Sequence, residues 1–201
     1  MSALPERAPD ARPTPVTGRR DVRLFAGLGV ALFALQYLVS GRIPGNGFDG
    51  ADYVEMITHG ITNGTPSTRL RPLVIVIDQA LYRLLSLDPI LIFQATNLVF
   101  ACLLSFLLAD LCRRYGASRL ATGTLIGCVF LGIATAKMFA YYPNLVDVGA
   151  YLFITLAIWA ILDGQTLRIA VCSVLAVLSR EFGGVVLLFG VARDIRLRRG
   201  D

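Results

Sequence analysis

The sequence predicts an all-α fold, a polytopic transmembrane helix bundle with interfacial helices in its first extracytoplasmic loop. Three observations carry that prediction. Of 201 residues, 55% are hydrophobic and 16% charged, with mean hydropathy +0.65, whereas soluble domains carry about a quarter charged residues. So few charges cannot cover the surface of a soluble domain of this length. Thirteen of the nineteen basic residues fall at Arg7–Arg23, at Arg113, Arg114 and Arg119, at Arg168, and at Arg193–Arg199. Between these clusters run apolar stretches of roughly membrane-spanning length, and the positive-inside rule puts the clusters in the cytoplasm.

The same numbers exclude other classes. Most of the chain is too apolar to be disordered, and four Cys in 201 residues are too sparse for a disulfide scaffold. A net charge of +5 does not signal nucleic acid, because the charge marks helix ends rather than one face.

In chain order, residues 1–22 hold Pro5, Pro9, Pro13 and Pro15 and read as a flexible cytosolic tail. The membrane domain covers 23–192. Its first span, Arg23 to Ser40, keeps bulky residues to its end and lacks an A-x-A site, so it reads as a retained helix rather than a signal peptide. The outer loop, 41–88, is polar and Gly-rich at first. Residues 72–87 then place apolar side chains at 73, 74, 77, 81, 84 and 85, a helical spacing that suits an interfacial helix. Asp88-Pro89 is a helix start. Residues 90–112 return to the cytoplasm, 120–139 go out, the YYPN turn reverses the chain, and 143–162 come back. Residues 167–192 have basic residues at both ends and Arg180-Glu181 in the middle. A helical hairpin bending at 179–184 keeps both ends cytoplasmic and spares two charges a mid-membrane position. Residues 193–201 form a basic cytosolic tail.

The chemistry candidates are few. The four Cys form no C-x-x-C and pair with no His, so no metal site is expected. Gly45–Gly50 spells G-x-G-x-x-G but follows a membrane span instead of a strand, so a dinucleotide site is not expected. Asp49 and Asp52, one helical turn apart after the first span, offer a general base or hold a cation; helix capping is the competing role. Arg69 and Arg71, at headgroup level, suit bidentate bonds to a lipid phosphate or plain snorkelling. Lys137 and Asp147 flank one outer turn and can pair, and Arg180-Glu181 sits at the hairpin tip. Ionisable groups at such depths mark a site unless they serve only each other.

Read in order, FDGADY, TRLRPL, YYPNLVDVGAYL and LSREFGG resemble the N-terminal half of a bacterial GT-C-fold glycosyltransferase. That class includes protein mannosyltransferases and arabinosyltransferases. The resemblance covers roughly residues 23–192. It implies an inverting hexosyl or pentosyl transfer from a polyisoprenyl-phosphate sugar at the extracytoplasmic face of the bacterial inner (plasma) membrane. It also implies that Asp49 is the general base, with Asp52 as second carboxylate or cation ligand. Arg69 and Arg71 would neutralise the departing lipid phosphate, where negative charge develops. Asn144, Asp147, Arg180 and Glu181 are placed in the outer cavity by position alone. No resident cofactor is implied beyond a divalent cation. The expected partners are membrane lipid, the polyisoprenyl-phosphate sugar and a second membrane subunit. Family members usually continue with further helices and often a soluble domain, so the resemblance implies a truncated member. The reading from a different class is a non-catalytic multi-pass subunit or scaffold whose charges hold helices together.

Overall fold

A computed structural model describes residues 18–39, 49–132 and 147–199. Every regular element among them is helical: α1 (Arg19–Val39), α2 (Gly50–His59), α3 (Pro66–Arg69), α4 (Pro72–Leu85), α5 (Pro89–Arg114), α6 (Arg119–Leu131), α7 (Asp147–Asp163), α8 (Thr166–Ser179) and α9 (Val185–Arg199). Two 3-10 turns, Ile61–Asn63 and Glu181–Gly184, join α2 to α3 and α8 to α9. The fold is all-α.

The central helix is α5, and its start follows from the sequence. The Asp88 carboxylate accepts the backbone N–H groups of Ile90 and Leu91 at 2.8 and 3.2 Å, with Pro89 in the first turn. At 26 residues α5 is about 39 Å long. Among the described residues it is the one helix both long and apolar enough to cross a membrane. Helix α1 packs along it closely enough that Gly29 leaves no room for a Cβ beside Ser105, whose hydroxyl donates to the Ala26 carbonyl at 2.8 Å. On another side α7 approaches at Gly149, against Phe100 of α5 and Val74 of α4.

The loop after α1 is more structured than its polar composition suggests. Helix α2 buries Tyr53, Met56 and Ile57 against Val74 and Ile75 of α4 and Phe93 of α5, joining the main core. Gln79 fastens α4 to α2 by donating to the carbonyls of Met56 and Ile57. At 14 residues α4 is about 21 Å long, too short to span. It carries a buried Asp78, whose Oδ1 accepts the Thr96 hydroxyl of α5 at 2.6 Å.

Helices α8 and α9 form a hairpin. Gly184 lies against Val177 near the bend, and Gly190 lies against Ile169 further along. Arg193 closes on Gly164, just before α8 begins. The bend is Arg180 in an extended conformation, followed by the 3-10 turn. Gly183 is required there, because a Cβ would sit 2.5 Å from the Ala176 carbonyl. At 14 and 15 residues, each arm is only about 22 Å long.

The outward faces are strongly apolar. Helix α5 exposes Leu91, Leu98, Val99, Leu103 and Phe106, and α8 exposes Leu167, Val171, Val174 and Leu178 in a single helical stripe. Helix α9 adds Leu188 and Phe189. Soluble monomers rarely present so much contiguous apolar surface.

Candidate functional site

The site forms where α2, the start of α4 and the hairpin bend meet. Its centre is Arg71, the residue before α4, held there because Pro72 starts the helix and ends the preceding loop. Its guanidinium is largely buried, with the side chain 12% exposed. Nε and Nη2 donate to the two Glu181 carboxylate oxygens at 2.9 and 2.8 Å, a bidentate fork joining positions 110 residues apart. Nη1 donates to Asp49 Oδ2 at 3.1 Å and to the Tyr53 hydroxyl at 3.2 Å. One guanidinium therefore ties the first loop to the hairpin.

A second pair lies beside the first. Arg180 donates to the Asp147 carboxylate at the start of α7, and its guanidinium lies 5.5 Å over the Phe182 ring. Phe182 in turn contacts Tyr151 of α7, with ring centroids 6.2 Å apart. Asp147 is buried, and its second oxygen has no hydrogen-bond partner among the described residues.

The electrostatics follow from this geometry. The Arg71 hydrogen bonds hold the Glu181 carboxyl down at about 2, although that side chain is more than half exposed. The same bonds push the Arg71 guanidinium above its ordinary range. Burial pushes the Tyr53 hydroxyl up, against the pull of the Arg71 hydrogen bond. The cluster thus sets two guanidiniums against three carboxylates, with a phenol on its floor.

Of the residues singled out from sequence, five meet here: Asp49, Arg71, Asp147, Arg180 and Glu181. Asp49 precedes α2, yet its side chain makes no cap hydrogen bond. Its carboxylate goes to Arg71 instead, which removes capping as its role. Asp52 is half-buried on the next part of the turn and takes no part in the Arg71 network. The two aspartates do not act as one carboxylate pair around that guanidinium. Arg69 is exposed, and its Nε donates to the Gly64 carbonyl at 2.6 Å, bracing the loop. Asn144 and Lys137 lie outside the described residues, and Asp147 takes Arg180 as its partner. Tyr53 is the member that sequence reading passed over. Its signal is its position four residues after Asp49, on the same helical face.

No group of three or more metal-ligating side chains occurs among the described residues. No family model, curated protein or solved structure matches the chain.

Proposed function

We propose that this chain is a polytopic membrane protein of glycosyltransferase type that moves a sugar from a polyisoprenyl-phosphate donor at the extracytoplasmic face. The membrane part of the reading rests on the exposed apolar faces of α5, α8 and α9 and on the Arg clusters at one set of helix ends. In this topology α5 and the apolar sequence segments 23–40, 120–139 and 143–162 cross the bilayer, and the hairpin arms enter from the cytoplasmic side. The Arg71 cluster then faces outward, at the depth of a lipid phosphate.

The observation that carries the chemistry is the junction of Asp49, Arg71 and Arg180 in one cluster, drawn from three distant sequence segments. A polyisoprenyl-phosphate sugar presents a phosphate for the guanidiniums and a glycosidic carbon next to it. When an acceptor hydroxyl attacks that carbon, its proton passes to a carboxylate and the bond to the lipid phosphate breaks. Asp49 is the partly exposed carboxylate beside Arg71 and serves as the base. Arg71 and Arg180 stabilise the charge growing on the leaving phosphate.

One observation favours the non-catalytic reading. The Arg71 fork is already filled by Glu181, and Asp147 is paired with Arg180, so the charges also serve to hold helices together. The two readings separate at Asp49. In vesicles holding the full chain and a polyisoprenyl-phosphate sugar, D49N should cut donor turnover by about two orders of magnitude or more. Insertion should stay normal. Full turnover in D49N removes Asp49 as the base, and full turnover in both D49N and D52N removes the loop from catalysis.

A further inference from the structure

The opposite end of the bundle holds a second site that the Arg71 chemistry does not use. A cavity of about 460 Å³ opens between α1, α5 and α7, lined by Arg19, Val22, Arg23, Phe106, Asp110, Arg113, Arg114 and Trp159. We propose that this cavity binds the phosphodiester headgroup of an anionic membrane phospholipid, with an acyl chain lying along the apolar face of α5. The proposal rests on the membrane reading above, and is independent of the sugar-transfer chemistry.

Three features build the site. Two of its guanidiniums are fixed in place: Arg113 donates to Asp110 Oδ1 through Nε and Nη2 at 3.0 and 2.8 Å, and Arg114 Nε donates to Oδ2 at 2.7 Å. The Arg114 guanidinium also lies 4.5 Å over the Trp159 ring, which makes the indole one wall of the cavity. Arg19 and Arg23, one turn apart on α1, face the same space and have no ion-pair partner among the described residues. Their exposed heads are free to close on an anion from the other side.

The charge around the cavity favours an anion even after its neighbours are included. Arg119 pairs with Asp21 at 3.0 Å, and Asp163 stands 3.8 Å from Arg114. The cavity wall itself carries four guanidiniums and one carboxylate, and with these neighbours included the balance is five to three, an excess of two positive charges. A soluble phosphate would use the guanidiniums but not the rest of the wall. From the cavity, Val99, Leu103 and Phe106 run along α5 at spacings of four and three residues, each half-exposed. This apolar track beside a basic pocket fits a headgroup with its tail attached. Basic pockets between helices at the cytoplasmic surface take anionic headgroups in this way.

Trp159 is the only Trp in the chain and lines the cavity, so it reports on occupancy directly. The full chain is reconstituted into phosphatidylcholine vesicles containing brominated lipid, either phosphatidylglycerol or phosphatidylcholine, and Trp159 quenching is measured. Brominated phosphatidylglycerol should quench at about fivefold lower mole fraction than brominated phosphatidylcholine. R19A/R23A should bring that ratio close to one. R23A alone should lower the ratio, and R20A, which removes the same single charge from outside the cavity, should leave it nearly unchanged. Equal quenching by the two lipids in the unmodified chain overturns the site, as does a loss in R20A matching that in R23A. Erasure of the preference by tens of millimolar inorganic phosphate overturns the lipid as occupant. A chain that does not float with the vesicles, and is quenched by neither lipid, overturns the membrane reading instead.

Discussion

Replacing Arg71 tests whether the loop and the hairpin are joined as one unit. In R71M the aliphatic stem survives and the guanidinium is lost. Glu181 loses two charge-assisted bonds but is 57% exposed and regains water, so that contact is worth about 1 kcal/mol. Tyr53 is fully buried and loses its hydroxyl partner, at a cost of about 1–3 kcal/mol. With the partly exposed Asp49 contact added, R71M should destabilise the chain by about 3 kcal/mol. E181Q alone should cost about 1 kcal/mol. In the double variant the second change should add almost nothing, giving a coupling of about 1 kcal/mol. Unfolding in mixed micelles, titrated with a denaturing detergent, measures all four corners of the cycle. If the two effects add to within about 0.3 kcal/mol, Arg71 and Glu181 are independent and the junction is refuted.

Three further predictions follow from the same geometry. G183A should destabilise the chain by about 1–3 kcal/mol in the same detergent titration, because its Cβ would meet the Ala176 backbone at 2.5 Å; an unchanged midpoint contradicts the tight bend. Glu181 has its carboxyl lowered from 4.5 to about 2, so its contribution is fully present above pH 4.5 and is lost as pH falls through about 2. The melting temperature of the unmodified chain should therefore drop across that window more than that of E181Q, and parallel curves contradict the pairing. Cysteines placed at the exposed positions 59 and 115, in a background without the four native Cys, should label from opposite sides of the vesicle membrane. Labelling from one side overturns the topology.

Composition and charge spacing make the helical class legible in the sequence itself. The Asp88-Pro89 start of α5 was readable because capping is local chemistry, settled within three residues. So was the interruption at Arg180-Glu181, since two charges inside an apolar run cannot stay in a straight buried helix. The order within the outer loop was not readable. Helix α2 is held by burial of Tyr53, Met56 and Ile57 against α4 and α5, contacts made by residues far apart in sequence. The same limit applies at the site. Sequence shows that Asp49, Arg71 and Glu181 carry charge but not which partner each takes. A guanidinium with five donors can bridge segments 110 residues apart only once the hairpin has folded back. Asp49 and Asp52 looked like a pair because spacing alone suggests one, yet Arg71 reaches Asp49 and Tyr53 instead. The second cavity is not legible for a related reason: Arg19, Arg23, Arg113 and Arg114 read simply as flanking charge until α1 and α5 bring them together around Trp159.

The central claim is that the Arg71 cluster holds a lipid-linked phosphosugar. Native mass spectrometry of the full chain, released from vesicles containing a polyisoprenyl-phosphate sugar, tests it most directly. The unmodified chain should retain the donor, and R71M should retain at least about tenfold less, in line with the loss of a bidentate phosphate contact. Equal retention by the two proteins, or none by the unmodified chain, contradicts the claim.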